Sequence, residues 1–155
     1  MSTAENFKSK LLRYMANVAP VFRATGAWIT HISADMRLVK LELPLKLKTK
    51  NPMGTMCGGN MYSAVHGIYG VMLMKHLGKD YFCIDRLSTI KFLKPGKGNL
   101  FTQFELTQAE INEVKTLVDL NGKTDRQYLV ELKDKNGIVC GEVTCTINIR
   151  KKKAE

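Results

Sequence analysis

Residues 51–78, NPMGTMCGGNMYSAVHGIYGVMLMKHLG, constrain the fold more than any other stretch of the chain. The segment opens as a glycine-rich turn and continues as a run that is apolar nearly all round. A helix of that kind has to be buried on every side. In a chain of 155 residues other structure must wrap around it, and the alternating segments that follow it suggest a curved β-sheet as the wrapper. Four amides at a helix N-terminus lack intrahelical partners. The turn Cys57-Gly58-Gly59 therefore places free N–H groups where a ligand could meet them.

The flanking segments supply the wrapper. Residues 4–19 read as an amphipathic helix, with Phe7, Leu11, Leu12, Met15 and Val18 at helical spacing. Ser2 or Thr3 is its expected cap, and Pro20 ends it or begins the next turn. Residues 26–34 and 37–48 read as strands. In the second, Val39, Leu41, Leu43, Leu45 and Leu47 alternate with polar residues. Pro44 lacks a ladder donor, which puts this strand at an edge or bends it there. The central helix is expected to run to Leu77, with Gly78 as its stop. Strands are then expected at 80–94, 98–109, 125–134 and 138–150. The last two form a hairpin around Asp134-Lys135-Asn136-Gly137. Strands segregated from one long helix indicate an α+β domain with an antiparallel sheet around that helix. One domain, residues 1–155, with a basic tail from about 150, accounts for the whole chain.

Bulk properties exclude several classes. No run of 18 apolar residues is present, so no membrane span is expected. The N-terminal charges are interleaved with apolar residues, unlike a signal peptide. Cys57, Cys83, Cys140 and Cys145 are scattered without metal-binding spacing, which fits free thiols in a reducing cytoplasm. The formal charge of +10 is either a solvated lysine-rich surface or an attraction for polyanions. Nucleic acid ranks last among those, because no recognition motif or aromatic-basic interleaving accompanies the charge.

Two phrases, GTMCGGNMYSA at 54–64 and IKFLKPGKG at 90–98, together with the order of elements, resemble the hotdog-fold acyl-CoA thioesterases of the phenylacetate-pathway type. They resemble still more an uncharacterised thioesterase-like branch of the same superfamily, over roughly residues 25–150. The resemblance implies a hotdog fold and at least a homo-dimer, a tetramer being compatible, with the site formed between subunits. It implies an acyl-CoA or acyl-carrier thioester as substrate, coenzyme A being part of that substrate and no separate cofactor being required. Asn51, Gly54 and the pair Gly58-Gly59 occupy the family's positions. The family's histidine before the glycine pair is Cys57 here. Its helical acid, part of an Asp-Pro pair in the closer branch, is replaced by His66-Gly67.

Thioester hydrolysis builds negative charge on the carbonyl oxygen, which helix N-terminal amides stabilise, and it needs a base or nucleophile beside the carbonyl carbon. Gly58 and Gly59 are the candidate amides, against a purely conformational role in a tight turn. His66 is the candidate base, acting on water, against a polar residue at a subunit interface. Cys57 is a candidate nucleophile at a helix N-terminus, against a small buried side chain. Asn51 orients substrate or simply forms the turn before Pro52. Tyr62 and Ser63 lie one turn before His66 and could orient it or line a cavity. Asp85 resembles an acid of the closer branch, or pairs with Arg86 or a lysine. Lys94, with Lys97, would meet coenzyme A phosphates. The expected acyl group is medium or long and apolar, because the helix offers aliphatic residues and methionines. The alternative reading is an acyl or lipid binder without catalysis on the same fold. A hydratase is disfavoured, since no Asp and His pair sits on a short loop.

Overall fold

A computed structural model describes residues 4–152. The element order is α1 Phe7–Val18, α2 Pro20–Thr25, β1 Trp28–Ile32, β2 Leu38–Leu43, α3 Gly58–Val65, α4 Ile68–Leu77, β3 Tyr81–Phe92, β4 Leu100–Glu105, α5 Gln108–Asn121, β5 Lys123–Lys133 and β6 Val139–Lys151. The six strands form one antiparallel sheet in the order β1-β2-β4-β5-β6-β3. Residues directly opposite in an antiparallel pair share a face. The strip Cys83, Ile149 and Thr124 therefore lies on the same side as Ile147 and Val143. That side packs against α3, α4 and α5, with Leu43, Leu73, Leu100, Phe104, Val143, Ile147 and Ile149 all fully buried. The α+β hotdog arrangement expected from the sequence is the one observed.

Several boundaries differ for local reasons. Ser2 and Thr3 lie outside the described residues. The cap of α1 is Asn6, whose Oδ1 accepts from Ser9 N while Ser9 Oγ accepts from Asn6 N. Pro20 does both things expected of it, ending α1 and standing at the first position of α2. Strand β2 stops at Leu43, just before Pro44, so Leu45 and Leu47 do not extend it, and Leu47 is exposed. Residues 106–109 are not strand. Helix α5 starts at Gln108, with Thr107 Oγ1 accepting from Glu110 N.

The expected single central helix is two. Gly67 sits at φ 82° between α3 and α4, a left-handed conformation that interrupts the helical ladder. Nor is the helix enclosed on every side. The sheet covers one flank, and Val71 and Met74 of α4 remain exposed.

The two edges of the sheet are treated differently. At β1 the free edge is covered by α1. Buried Asn17 donates from Nδ2 to Ile29 O at 2.9 Å and accepts from Ile29 N at 2.8 Å, and Glu5 accepts from Ile32 N. At the opposite edge the 12-residue strand β3 pairs with β6 and with no other described strand. A long, uncovered edge is a template for another strand.

Candidate active site

The turn before α3 is held by Asn51. Its Oδ1 accepts from Met53 N and Thr55 N, its Nδ2 donates to Thr55 Oγ1, and Gly54 at φ 82° closes the loop onto Asn51 O. The side chain is engaged in shaping the turn. Cys57 caps α3 by its backbone alone, with its N–H bound to Thr49 O and its carbonyl accepting from Asn60 N and Met61 N. Among the described residues the amides of Gly58 and Gly59 have no partner.

The two glycines differ in what they permit. A methyl group at position 58 would lie 2.6 Å from Phe92 Cζ, so Gly58 admits the aromatic ring against the helix start. At position 59 the nearest atom would be Cys57 Sγ at 3.9 Å, and the residue is exposed. An approaching group can reach the Gly59 amide. The Cys57 thiol is half-buried and unpaired. The thiols of Cys83, Cys140 and Cys145 are buried, and burial pushes Cys83 up to about 11 and raises the other two, which keeps them protonated.

The second group of residues gathers at the other end of α3. His66 leaves the helix at ψ 134°, and its Nε2 lies 3.1 Å from Asp85 Oδ2. The same oxygen accepts from Gly67 N at 3.0 Å. Asp85 reaches this position because it stands opposite buried Ile147 on the helix side of the sheet. A bulge follows at once: Arg86 is the extra residue, and it turns away to bind Asp125 at 2.7 Å. Bulges commonly re-aim side chains in this way. Asp85 therefore pairs with His66, and neither with Arg86 nor with a lysine. Its side chain is 8% exposed, while that of His66 is 46% exposed, so the carboxylate anchors from below and the imidazole faces outward.

Tyr62 stacks obliquely near His66, with ring centroids 5.5 Å apart. Tyr62, Ser63 and His66 line an open hollow of about 440 Å³ with Val21, Phe22, Ala24 and Thr25. Helix α2 thus forms the apolar wall of the hollow, and Asn60 Nδ2 ties it to α3 by donating to Thr25 O.

The candidate residues accordingly fall into separate places. Eight residues at about 1.5 Å each separate Gly58 from His66, roughly 12 Å along the helix. Lys94 lies elsewhere, on the rim of a hollow between the β3–β4 loop and the β5–β6 turn. The contribution of Asp85 could not be read from spacing, since it depends on the bulge and on the break at Gly67. No cluster of three or more metal-ligating side chains occurs among the described residues, and no described helix is long and apolar enough to cross a membrane.

The family described as a domain of unknown function, DUF4442, matches residues 8–149. No curated protein matches the chain significantly. Among solved structures, a Pseudomonas aeruginosa protein of unknown function described as a probable thioesterase is similar at a TM-score of 0.81. It is 20% identical, with 92% of this chain and 95% of that one covered. A protein of unknown function from Chlorobaculum tepidum matches at 0.73 with 14% identity, covering 94% and 95% of the two chains. A thioesterase from Haemophilus influenzae matches at 0.68 with 12% identity, covering 97% and 96%.

Proposed function

For a chain that belongs to the DUF4442 family and has a hotdog fold, we propose thioester hydrolysis on an acyl-CoA carrying a medium or long apolar acyl group. The observation that carries this reading is the pairing of half-exposed His66 with buried Asp85 beside an apolar hollow. Nε2 donates to Asp85 and Nδ1 is left as the basic nitrogen, since the bond made by one ring nitrogen sets the role of the other. His66 takes a proton from water, and the water oxygen attacks the thioester carbon. The amides of Gly58 and Gly59 receive the developing oxyanion. Collapse of the tetrahedral intermediate breaks the carbon–sulfur bond, and the imidazolium returns its proton to the departing thiolate. Asp85 stabilises that imidazolium. Asn51 acts through the turn that aims the amides, and Cys57 forms part of the wall beside Gly59.

A base roughly 12 Å along the helix from the amides does not serve the same carbonyl within one chain. The proposed site therefore takes its amides from one copy and its His66–Asp85 pair from another. The uncovered edge of β3 is where two copies join. The acyl chain then lies against the α2 wall of the partner copy.

The test is a chain-length panel of acyl-CoAs with release of free thiol followed directly. Turnover that falls to background in His66→Ala is expected. A wild-type protein that releases no thiol from any member of the panel refutes the reading. The replacement of the family's helical carboxylate by His66 favours one second reading, a non-catalytic acyl binder. It predicts a rise in melting temperature with acyl-CoA and no thiol release.

A further inference from the structure

Helix α1 is fastened to the sheet by its polar side. Ser9 and Asn17 are its buried residues, and Arg13 is half-buried against Glu5 at 2.8 Å. Leu12 and Ala16 add apolar contact with the core. The apolar stripe points the other way. Phe7, Leu11, Tyr14, Met15 and Val18 are all exposed, Phe7 at 81% and Tyr14 at 65%. At 3.6 residues per turn these five positions fall within about 100° of arc. An amphipathic surface helix ordinarily turns such a stripe toward the core. Here nothing among the described residues covers it.

The borders of the stripe decide what can cover it. Lys10 and Lys8 stand on its two sides, both exposed, and neither has a carboxylate partner among the described residues. Phe7–Val18 contains no acidic residue, and Glu5 just before it is already engaged by Arg13 and by Ile32 N. A second copy docked through α1 about a two-fold axis presents the same patch, so the lysines would find no carboxylate on the facing helix. An anionic bilayer receives both parts of the face, the apolar side chains at the acyl boundary and the lysines at the headgroups. The net charge of +10 favours the same surface. The exposed apolar surface also continues toward the candidate site. Val21, three residues past Val18, is 81% exposed and lines the hollow that holds His66.

We propose that α1 is an interfacial anchor, which lays Phe7, Leu11, Tyr14, Met15 and Val18 into the surface of an anionic phospholipid bilayer with Lys8 and Lys10 on the headgroups. The docking stands apart from the hydrolase reading. Its use, the capture of acyl thioesters that partition into lipid, rests on that reading.

The test is co-sedimentation of the full chain with vesicles of equimolar phosphatidylcholine and phosphatidylserine, and with vesicles of phosphatidylcholine alone. Binding to the anionic vesicles is expected, at least about tenfold weaker on the neutral ones and falling with added salt. Lys8→Ala/Lys10→Ala should weaken it about thirtyfold, at about fivefold per lysine. Phe7→Ser/Leu11→Ser keeps every charge and should weaken it at least about tenfold. The control Leu120→Ser, an exposed apolar position on α5, should change nothing. All these side chains are exposed, so the melting temperatures should stay at the wild-type value.

Wild-type vesicle binding by Phe7→Ser/Leu11→Ser overturns the proposal, since net charge alone then accounts for adsorption. So does a wild type that ignores anionic vesicles. A smaller oligomer in lipid-free ultracentrifugation of Phe7→Ser/Leu11→Ser also overturns it and assigns the face to a second copy. Vesicle binding that the α1 variants lose, in a protein that hydrolyses nothing, upholds the anchor and refutes only the hydrolase.

Discussion

Replacing Asp85 by asparagine separates chemistry from stability at the proposed base. Asp85 Oδ2 accepts from Gly67 N and lies 3.1 Å from His66 Nε2. An asparagine can keep the Gly67 bond through its carbonyl oxygen. The same oxygen position also faces His66 Nε2, so the asparagine leaves the imidazole beside a neutral oxygen that no longer stabilises the imidazolium. Loss of the charge on such a partner is worth about 1.5–3 kcal/mol, or about ten- to a hundredfold in rate. The expected result is a kcat about ten- to a hundredfold lower with KM little changed. The imidazole is 46% exposed, and a half-exposed pair contributes no more than ~1 kcal/mol to folding. The melting temperature should then fall by no more than about 2–4 °C. Steady-state kinetics on the best acyl-CoA and a thermal melt on the same preparation check both halves. A wild-type kcat would sink the dyad, and a loss of activity that tracks a collapse of the melt would reduce Asp85 to a structural role.

Four other substitutions probe the frame around the site. Asn17→Ala strands the N–H and C=O of Ile29 at the β1 edge, and at about 1–3 kcal/mol per unsatisfied group urea unfolding should show roughly 2–6 kcal/mol lost. Gly58→Ala drives a methyl into the Phe92 ring, while Gly59→Ala meets open space; melts should show a clear loss for the first and little for the second, with Gly59→Ala still lowering kcat if that amide receives the oxyanion. Glu110 is held below its ordinary value of 4.5 chiefly by its hydrogen bond from Arg126, with Tyr128 also donating to it. A lowered folded pKa gives stability that is fully present above the ordinary value and lost as pH falls through the folded one. Glu110→Gln should therefore be less stable than wild type at neutral pH, and the gap should close in melts taken progressively below pH 4.5.

What could be read from the chain divides along physical lines. Strand β6 was legible because Val143, Cys145, Ile147 and Ile149 alternate strictly and one face of the sheet is buried. The hairpin at Asp134–Gly137 was legible because its turn chemistry is local. Helix α5 was missed although its signals were present: Thr107 and Glu110 stand at capping-box spacing, and Ile111, Val114 and Val118 recur on one buried stripe. The stripe is narrow and the rest of the helix polar, so the segment lacked the density of apolar residues that marked α3 and α4. The end of β2 was misplaced because alternation continues through Leu45 and Leu47 after the ladder has stopped at Pro44. In the site, the glycine turn and His66 stood out, since each needs only its immediate neighbours. The partner of His66 did not, because 19 residues separate it from Asp85 and the contact needs two irregularities at once.

Those two irregularities also account for the residue pair at 66–67. The resemblance described above implies an Asp-Pro pair there and an acid at the position of Asp85. A proline has no N–H to give and is confined near φ −65°, whereas Gly67 stands at φ 82° and donates to Asp85. An aspartate at position 66 would add a second carboxylate beside Asp85, and two such groups side by side hold a proton between them. With His66 and Gly67 the same buried carboxylate instead accepts from the Gly67 backbone and lies 3.1 Å from the imidazole. The two changes depend on each other. Histidine alone would leave Asp85 without the backbone donor, and glycine alone would leave two carboxylates facing each other. Together they set an imidazole beside a carboxylate at that place, the pair on which the proposed base rests.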